Sequence, residues 1–397
     1  MPVSHALPLR TLSAGQLTPL AAGEAPGLLA VLAMITDPRD RRGLLHPLVT
    51  VLAVAVIGVL AGATNYRELG DEAADLPQDL LAMIKARRDR TTGNLYAPDA
   101  ATIRRVVIDV DADQFDQITG AWLKTRDDQR RPADDAQPVT VAFDGKYLRG
   151  TDPTGVAQIK LLSAVTHGNA VVIAQVAVPA DTTEVTQVKA LLANVDLTGA
   201  VLTADAAHTN AATARHLVHD KHADYVLTVK ANRPVLCRRI CDLLRGGQIR
   251  ESVDVDDSRG QTTTRTILVT DAGADIGFPH AAQVFQVCRE VTNRLGERVS
   301  REFVLGVTSQ HPTTAGPARI AGQVRRHWHV ENKSHYVRDV VYSEDANTSY
   351  IGNGPRMMAS LRNLGVSLLR QAGHHQIKLT VQKISRKPHR VLEIIPL

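Results

Sequence analysis

The sequence predicts a chain of mixed α+β and α/β class, with a helical N-terminal domain ahead of a larger domain of strands and helices. Three observations point there. Before residue 126 the apolar residues recur at helical spacing, with one long aliphatic run among them. After Pro138, short β-branched runs alternate with amphipathic helices, as in a sheet layered with helices. Residues 246–312 then turn almost wholly to strand patterns before helical spacing returns.

The 397 residues are 44% hydrophobic and 22% charged, a balance that supports two or three domains with their own cores. Only 4% are aromatic, so those cores are built mainly from Ala, Val, Leu and Ile. The net charge of +5 is unevenly spread: from Gly316 onward there are 13 Lys and Arg against 5 Asp and Glu. A basic C-terminal third is the electrostatic footprint of a polyanion partner, although solvated Lys and Arg produce such runs as well. Three cysteines, Cys237, Cys241 and Cys288, make no secretory disulfide framework and fit a reducing compartment. Cys237 and Cys241 have helical i, i+4 spacing, and with no further Cys or close His to complete a zinc set they read as packing residues.

Residues 1–22 read as a leader that lacks the continuous apolar segment of a signal peptide. The helical domain, 23–126, opens with an apolar helix over 27–35 that Asp37-Pro38 ends. The aliphatic run 48–63 is 16 residues long, short of the roughly 20 apolar residues of a membrane span, and reads as a buried helix. Two helices follow, one capped by Asn65 and one over 78–90 with a basic end that complements its dipole. Asp99 is placed to cap a helix that presents Thr102, Arg104 and Arg105 near its start. That arrangement fits a helix-turn-helix-like DNA reader, and equally an ordinary bundle helix with solvated arginines. Residues 127–138, charged and carrying prolines, form the linker.

Residues 139–245 hold the first part of the sheet domain. Val139, Val141 and Phe143 fall on one face of a strand and Thr140, Ala142 and Asp144 on the other, so Asp144 stands at the strand's end. Strands over 160–167 and 170–179, joined by Gly168-Asn169, form a hairpin. A helix over 184–195 with Val185, Val188, Leu191 and Leu192 on one face leads to a second apolar strand that ends in Asp205. A helix (211–219), a strand (224–229) and a helix (234–244) follow. After the β-rich piece, 246–312, comes 313–372, where a helix over 316–339 carries Glu331 among bases. Helical spacing puts residues 324, 327, 328, 331, 335 and 338 on one side of it, which aligns His327, Trp328, Glu331, His335 and Arg338. Another amphipathic helix (355–373) precedes a basic tail, 373–397.

A carboxylate at the end of a rigid strand, followed by Gly145 and Lys146, suits divalent-metal chemistry on a phosphate, although a lone aspartate serves as readily in a turn or cap. Two strand-end aspartates and a helix glutamate meeting in one pocket form the ligand set of two hard cations about 4 Å apart. Lys146, Arg149, Arg326, Lys333 and Arg338 are the cations nearest these acids in sequence and are expected on phosphates, Lys146 foremost because it shares Asp144's strand face. A solvated surface place is the competing reading for each. Trp328 reads first as a core residue and second as a platform for an unpaired base. A zinc site from His327, Glu331 and His335 lacks the His-Glu-x-x-His spacing and leaves the strand-end aspartates unexplained. Neither a Walker loop nor a Gly-x-Ser-x-Gly elbow is present.

Three stretches in this order, FDGKYLRG (143–150), LTADAAHTN (202–210) and HWHVENKSHYVRDV (327–340), closely resemble the three acidic motifs of DDE transposases of the ISAs1 insertion-sequence family, also called H-repeat-associated proteins. The resemblance covers nearly the whole chain: DPRDRRGLLHPL (37–48) and PDAATIRRVV (98–107) resemble that family's associated domain. Together with the order of elements it implies a ribonuclease-H-like catalytic domain, with 246–312 as a β-rich insertion before the glutamate helix. It implies metal-dependent DNA strand cleavage and strand transfer at element ends, with Asp144, Asp205 and Glu331 holding two Mg²⁺ (or Mn²⁺) ions. The implied partners are double-stranded DNA, both insertion-sequence ends and target, and a second copy of the chain as a homodimer on that DNA. No membrane is involved, and the implied place is the bacterial cytoplasm at the nucleoid. Lys333, Ser334 and Tyr336 stand where the family has aromatic and apolar residues, which leaves the acids intact and alters substrate contacts. The alternative is a domesticated or inactive copy that binds DNA without cutting it.

Overall fold

The computed structural model describes residues 25–42, 44–132, 137–151, 158–328, 330–347, 351–395 and 397; the expected leader and residues 133–136 of the linker lie outside these. A small hairpin pairs β1 (Arg87–Arg88) with β2 (Leu95–Tyr96). The remaining strands are β3 (Thr140–Leu148), β4 (Ile159–Thr166), β5 (Val172–Val178), β6 (Val201–Ala204), β7 (Asp224–Val229), β8 (Arg250–Ser258), β9 (Gln261–Asp271), β10 (Gln283–Asn293) and β11 (Arg298–Thr308). They form one mixed sheet in the order β5-β4-β3-β6-β7-β11-β10-β9-β8.

The sheet's two halves differ in direction. β3, β4 and β5 pair antiparallel in chain order, whereas β3, β6 and β7 are parallel. Parallel neighbours need crossovers, and the helices Glu184–Leu192 and Ala211–Arg215 supply them. β11 then adds antiparallel to β7, pairing Leu305 with Val229 and Thr308 with Val226, and β10, β9 and β8 continue outward. The β-rich stretch therefore extends the same sheet and covers what would otherwise be the open edge of β7.

The helical part and the sheet share a core. In the aliphatic helix Leu48–Ala61 every residue but Val49 is buried. The helix Gly354–Gln371, expected to be amphipathic, is buried at every position except Arg356. It packs against the helices Leu48–Ala61 and Ala112–Gln129 and reaches β5. Three of its polar side chains find partners inside: Ser367 Oγ accepts from Val172 N–H, Asn363 donates to Gln175, and Gln371 donates to the Leu123 carbonyl. Trp122, Phe115, Phe143 and Leu361 belong to the same cluster of buried side chains. Among the described residues, no single helix is long and apolar enough to cross a membrane.

Several expected elements differ. The helix foreseen over 78–90 spans only Gln78–Met83, because Lys85 takes a left-handed φ of 56° and the basic residues that follow form the β1–β2 hairpin around an Asp89 turn. Ala112–Gln129 is helical into the first residues of the expected linker. The basic tail is a docked helix, Ile377–Arg386, whose Ile377, Val381 and Ile384 are buried. It sits where Gly62 ends the aliphatic helix at φ 104°: a Cβ at 62 would lie 2.6 Å from Val381. The helix foreseen over 316–339 breaks into Pro317–His327, a π-helical stretch Val330–His335, and Tyr336–Tyr342.

A buried carboxylate locks these pieces together. Glu344 accepts a 3.1 Å hydrogen bond from Arg362 and pairs at 3.2 Å with Arg338 and at 3.6 Å with Lys146, so one side chain joins the helix Gly354–Gln371, the helix Tyr336–Tyr342 and β3. Three cations around one acid leave no slack once the acid is gone. Glu344→Ala is expected to cost about 3–5 kcal/mol of folding stability, read as a fall in the urea midpoint, and an unchanged midpoint would refute the locking role.

Candidate active site

The parallel ladder between β3 and β6 pairs Thr140 with Val201, Val141 with Leu202 and Ala142 with Thr203. Carried two residues further at the same offset, it brings Asp144 beside Asp205; Asp205 lies just past β6, whereas Asp144, expected at its strand's end, stands mid-strand, because β3 runs on to Leu148 in its pairing with β4. Both carboxylates are turned to local backbone: Asp144 accepts from Gly145 N–H at 2.9 Å, and Asp205 accepts from Ala207 N–H at 3.0 Å. Burial above all, against the opposing Gly145 hydrogen bond and helped by the charges of Asp205 and Glu184, raises the Asp144 carboxyl to about 6.

Glu184 is a carboxylate that the sequence motifs do not single out. It is the first residue of its helix, where an acid reads as an ordinary complement to the helix dipole. Its carboxyl lies over Gly145, and a Cβ at 145 would collide with it. Lys160 of β4 pairs with one Glu184 oxygen, and His208 Nε2 lies 3.1 Å from the other. Burial works against that charge, but the His208 and Lys160 hydrogen bonds outweigh it and hold the Glu184 carboxyl below its usual range. His208 is wholly buried with its ring edge on Phe143, 4.9 Å between centroids, and its Nδ1 has no partner among the described residues. The sequence did carry a signal: a glycine inside a strand, next to the aspartate, marks a close approach.

The break in the third helix decides what becomes of Glu331. A π turn adds a residue and rotates the segment beyond it, so the expected common face does not form. Trp328, expected in the core, is 60% exposed, and Glu331 is exposed, while His335 and Arg338 are buried. His327 Nδ1 lies 3.0 Å from Thr203 Oγ1 on β6, and burial takes its imidazole down to about 4 despite the pull of Asp205. His335 Nδ1 lies 3.9 Å from Asp144 Oδ2. The Glu331 backbone is thus bracketed by a histidine near each aspartate, while its carboxylate makes no hydrogen bond or ion pair among the described residues.

Of the five cations expected on phosphates, two are engaged inside the protein. Lys146, with its side chain 9% exposed, pairs with Asp339, Glu344 and Asp345, and Arg338 is buried against Glu344 and Asn363. Alternation along β3 gave Lys146 the correct face, but that face meets the acids of 339–345. Arg149 is 75% exposed with one long contact, 3.9 Å, to Asp345. Arg326 is exposed, and burial together with the charges of Arg370 and Arg326 holds the Lys333 ammonium below the usual lysine range.

The donor set fits a hard divalent cation. Asp144 and Asp205 offer oxygens from adjacent strands, and the crowding that raises Asp144 is the repulsion a bound cation relieves. Among the described residues, no group of three or more His, Cys, Asp and Glu side chains stands ready as a metal shell.

Residues 134–367 match the model of the transposase DDE domain, and residues 29–123 match that of the DDE_Tnp_1-associated domain. The chain is 26% identical over 361 residues to YncI of Escherichia coli O157:H7, provisionally named a transposase, covering 86% of this chain and 87% of that one. It is 23% identical over 364 residues to the provisionally named H repeat-associated transposase YhhI of Escherichia coli strain K12, covering 87% and 91%. A cryo-EM structure of a piggyBac transposase synaptic complex with hairpin DNA aligns with 95% of this chain and 80% of that one, at 12% identity and a TM-score of 0.41.

The raised Asp144 carboxyl has a stability consequence with a definite sign. The folded chain binds this proton more tightly than the unfolded chain, so ionisation costs the fold as pH rises from about 4 through 6, and the full cost is present above that. With the side chain 31% exposed, the cost is about 1–3 kcal/mol. Asp144→Asn should therefore melt higher than the wild type at pH 7.5 and equally at pH 4, and Mg²⁺ should close the gap at pH 7.5 by stabilising the wild type alone. Equal melting temperatures at pH 7.5 without Mg²⁺ would contradict this.

Proposed function

We propose a DNA-cutting and DNA-joining role for this chain, which belongs to the transposase DDE domain family: it is an insertion-sequence transposase of the ISAs1 group. The observation that carries this reading is the side-by-side placement of Asp144 and Asp205 just beyond the parallel ladder between β3 and β6, with Asp144 raised by burial and by its carboxylate neighbours. The order of β3 to β7, three antiparallel strands followed by parallel ones across helices, supports a ribonuclease-H-like core.

Asp144, Asp205 and Glu331 are the residues assigned to hold Mg²⁺ or Mn²⁺, with two ions expected. When bound, the ions supply Lewis-acid activation of a water or 3′-hydroxyl and stabilise the departing 3′-oxygen. Asp144 and Asp205 fix the position of that chemistry because rigid strands hold them, whereas Glu331 is assigned from its motif and its place between His327 and His335. Arg149, Arg326 and Lys333 are the expected cations on the DNA backbone. The partners are double-stranded insertion-sequence ends and target, held by a homodimer in the bacterial cytoplasm.

Incubated with Mg²⁺ or Mn²⁺ and linear DNA carrying the element's ends, the wild type is expected to nick and join strands. Asp144→Ala, Asp205→Ala and Glu331→Ala should each lower the rate by about 100-fold or more. Wild-type DNA binding without any cleavage would favour a binding-only copy instead. Arg326→Gln and Lys333→Gln should each weaken binding similarly on all DNA sequences and lower the slope of log affinity against log salt by about one; a slope that stays the same would take these two residues off the phosphates.

A further inference from the structure

We propose that Glu184 is a fourth carboxylate of the cation cleft, held by Lys160 and His208 until a divalent ion takes the place of Lys160. The inference rests on the cation-binding role given to Asp144 and Asp205. Among the carboxylates that act on Asp144 are Asp205 and Glu184, and Glu184 arrives from a different element, the crossover helix between β5 and β6.

Three features separate this from an ordinary surface ion pair. First, the carboxyl is pressed onto the strand at Gly145, immediately after Asp144, in space that any side chain at 145 would fill. Secondly, the Glu184 charge is neutralised by a lysine whose ammonium at the same time sits 4.5 Å from the centre of the Tyr147 ring, so Lys160 keeps one partner when it releases the acid. Thirdly, His208 comes from the motif that carries Asp205. It is wholly buried and contacts Glu184 through Nε2, its Nδ1 has no partner among the described residues, and its backbone N–H donates to Asp205 Oδ1 at 3.4 Å, so the residue ties the fourth acid to the second. An outer partner that orients a ligating carboxylate is the usual company of a hard-cation site.

Lys160 and the cation then compete for one carboxylate, which gives two substitutions opposite signs. Mn²⁺ binding to the full-length protein, followed by the electron paramagnetic resonance of free Mn²⁺, should weaken about 10-fold or more in Glu184→Gln. It should tighten several-fold in Lys160→Met, an outcome that a purely structural ion pair does not produce. Asp144→Asn is the reference and should weaken binding at least as much as Glu184→Gln. Wild-type affinity in both Glu184→Gln and Lys160→Met, with Asp144→Asn impaired, would overturn the role of Glu184 alone. Wild-type affinity in Asp144→Asn as well would remove the cation cleft itself. If Glu184→Gln does not fold, as judged by circular dichroism, Lys160→Met decides: tighter binding supports the competition, and unchanged or weaker binding refutes it.

Discussion

Three backbone pairs between β3 and β6 decide where the chemistry sits, because a parallel ladder carries its offset unchanged to the residues just beyond it. A slip of one residue would turn Asp205 to the opposite face from Asp144 and dissolve the cleft. The register is protected by burial: Val141, Ala142, Phe143, Leu202 and Ala204 are sealed on both faces of the sheet. The two acids sit where that apolar run stops, so the same core that fixes their spacing also partly dries them, and drying turns adjacent carboxylates into an electrostatic load.

That load is met unevenly. Glu184 has Lys160 and His208, whereas Asp144 has one backbone N–H and a histidine nitrogen 3.9 Å away. The least compensated acid is the one at the centre, as expected where a charge is to be supplied from outside. The neighbouring cations do not relieve it. Lys146, two residues along β3, is drawn the other way into the Asp339–Glu344–Asp345 cluster, and Arg338 joins it there. Those buried pairs hold β3 to the helix Tyr336–Tyr342, and so keep the segment after Glu331 anchored beside the cleft.

The third motif obeys a different constraint. His327 is fastened to Thr203 on one strand and His335 approaches Asp144 on the next, and Val330 packs among Ala142, Val165 and Val172 between them. A regular helix would carry 327 and 335 round at about 100° per residue. The π turn alters that rotation, buries His335 and Arg338, and leaves Trp328, Glu331 and Tyr336 toward solvent. On that solvent side lie Arg326 and the partly covered Lys333, an aromatic and basic surface next to the acids.

By itself the sequence determined the strand that stops just before Asp205, the apolar first half of the strand that carries Asp144, the hairpin at Gly168-Asn169, the caps at Asn65 and Asp99, and the burial of the aliphatic helix; that β3 runs past Asp144 to Leu148 it did not determine. Each of these is governed by residues close together in the chain: period-two alternation, a turn dipeptide, a side chain reaching its own backbone. Tertiary structure alone decided that the β-rich stretch joins the same sheet, that the helix Gly354–Gln371 lies inside rather than on the surface, that Trp328 faces out, and that Glu184 leans over Gly145. Those outcomes depend on what approaches from elsewhere in the chain. The pull of Asp339, Glu344 and Asp345 on Lys146 has no local signature, and Gly145 signals a close approach without naming Glu184 as the group that makes it, because periodicity reports which face a side chain takes and not which partner meets it there.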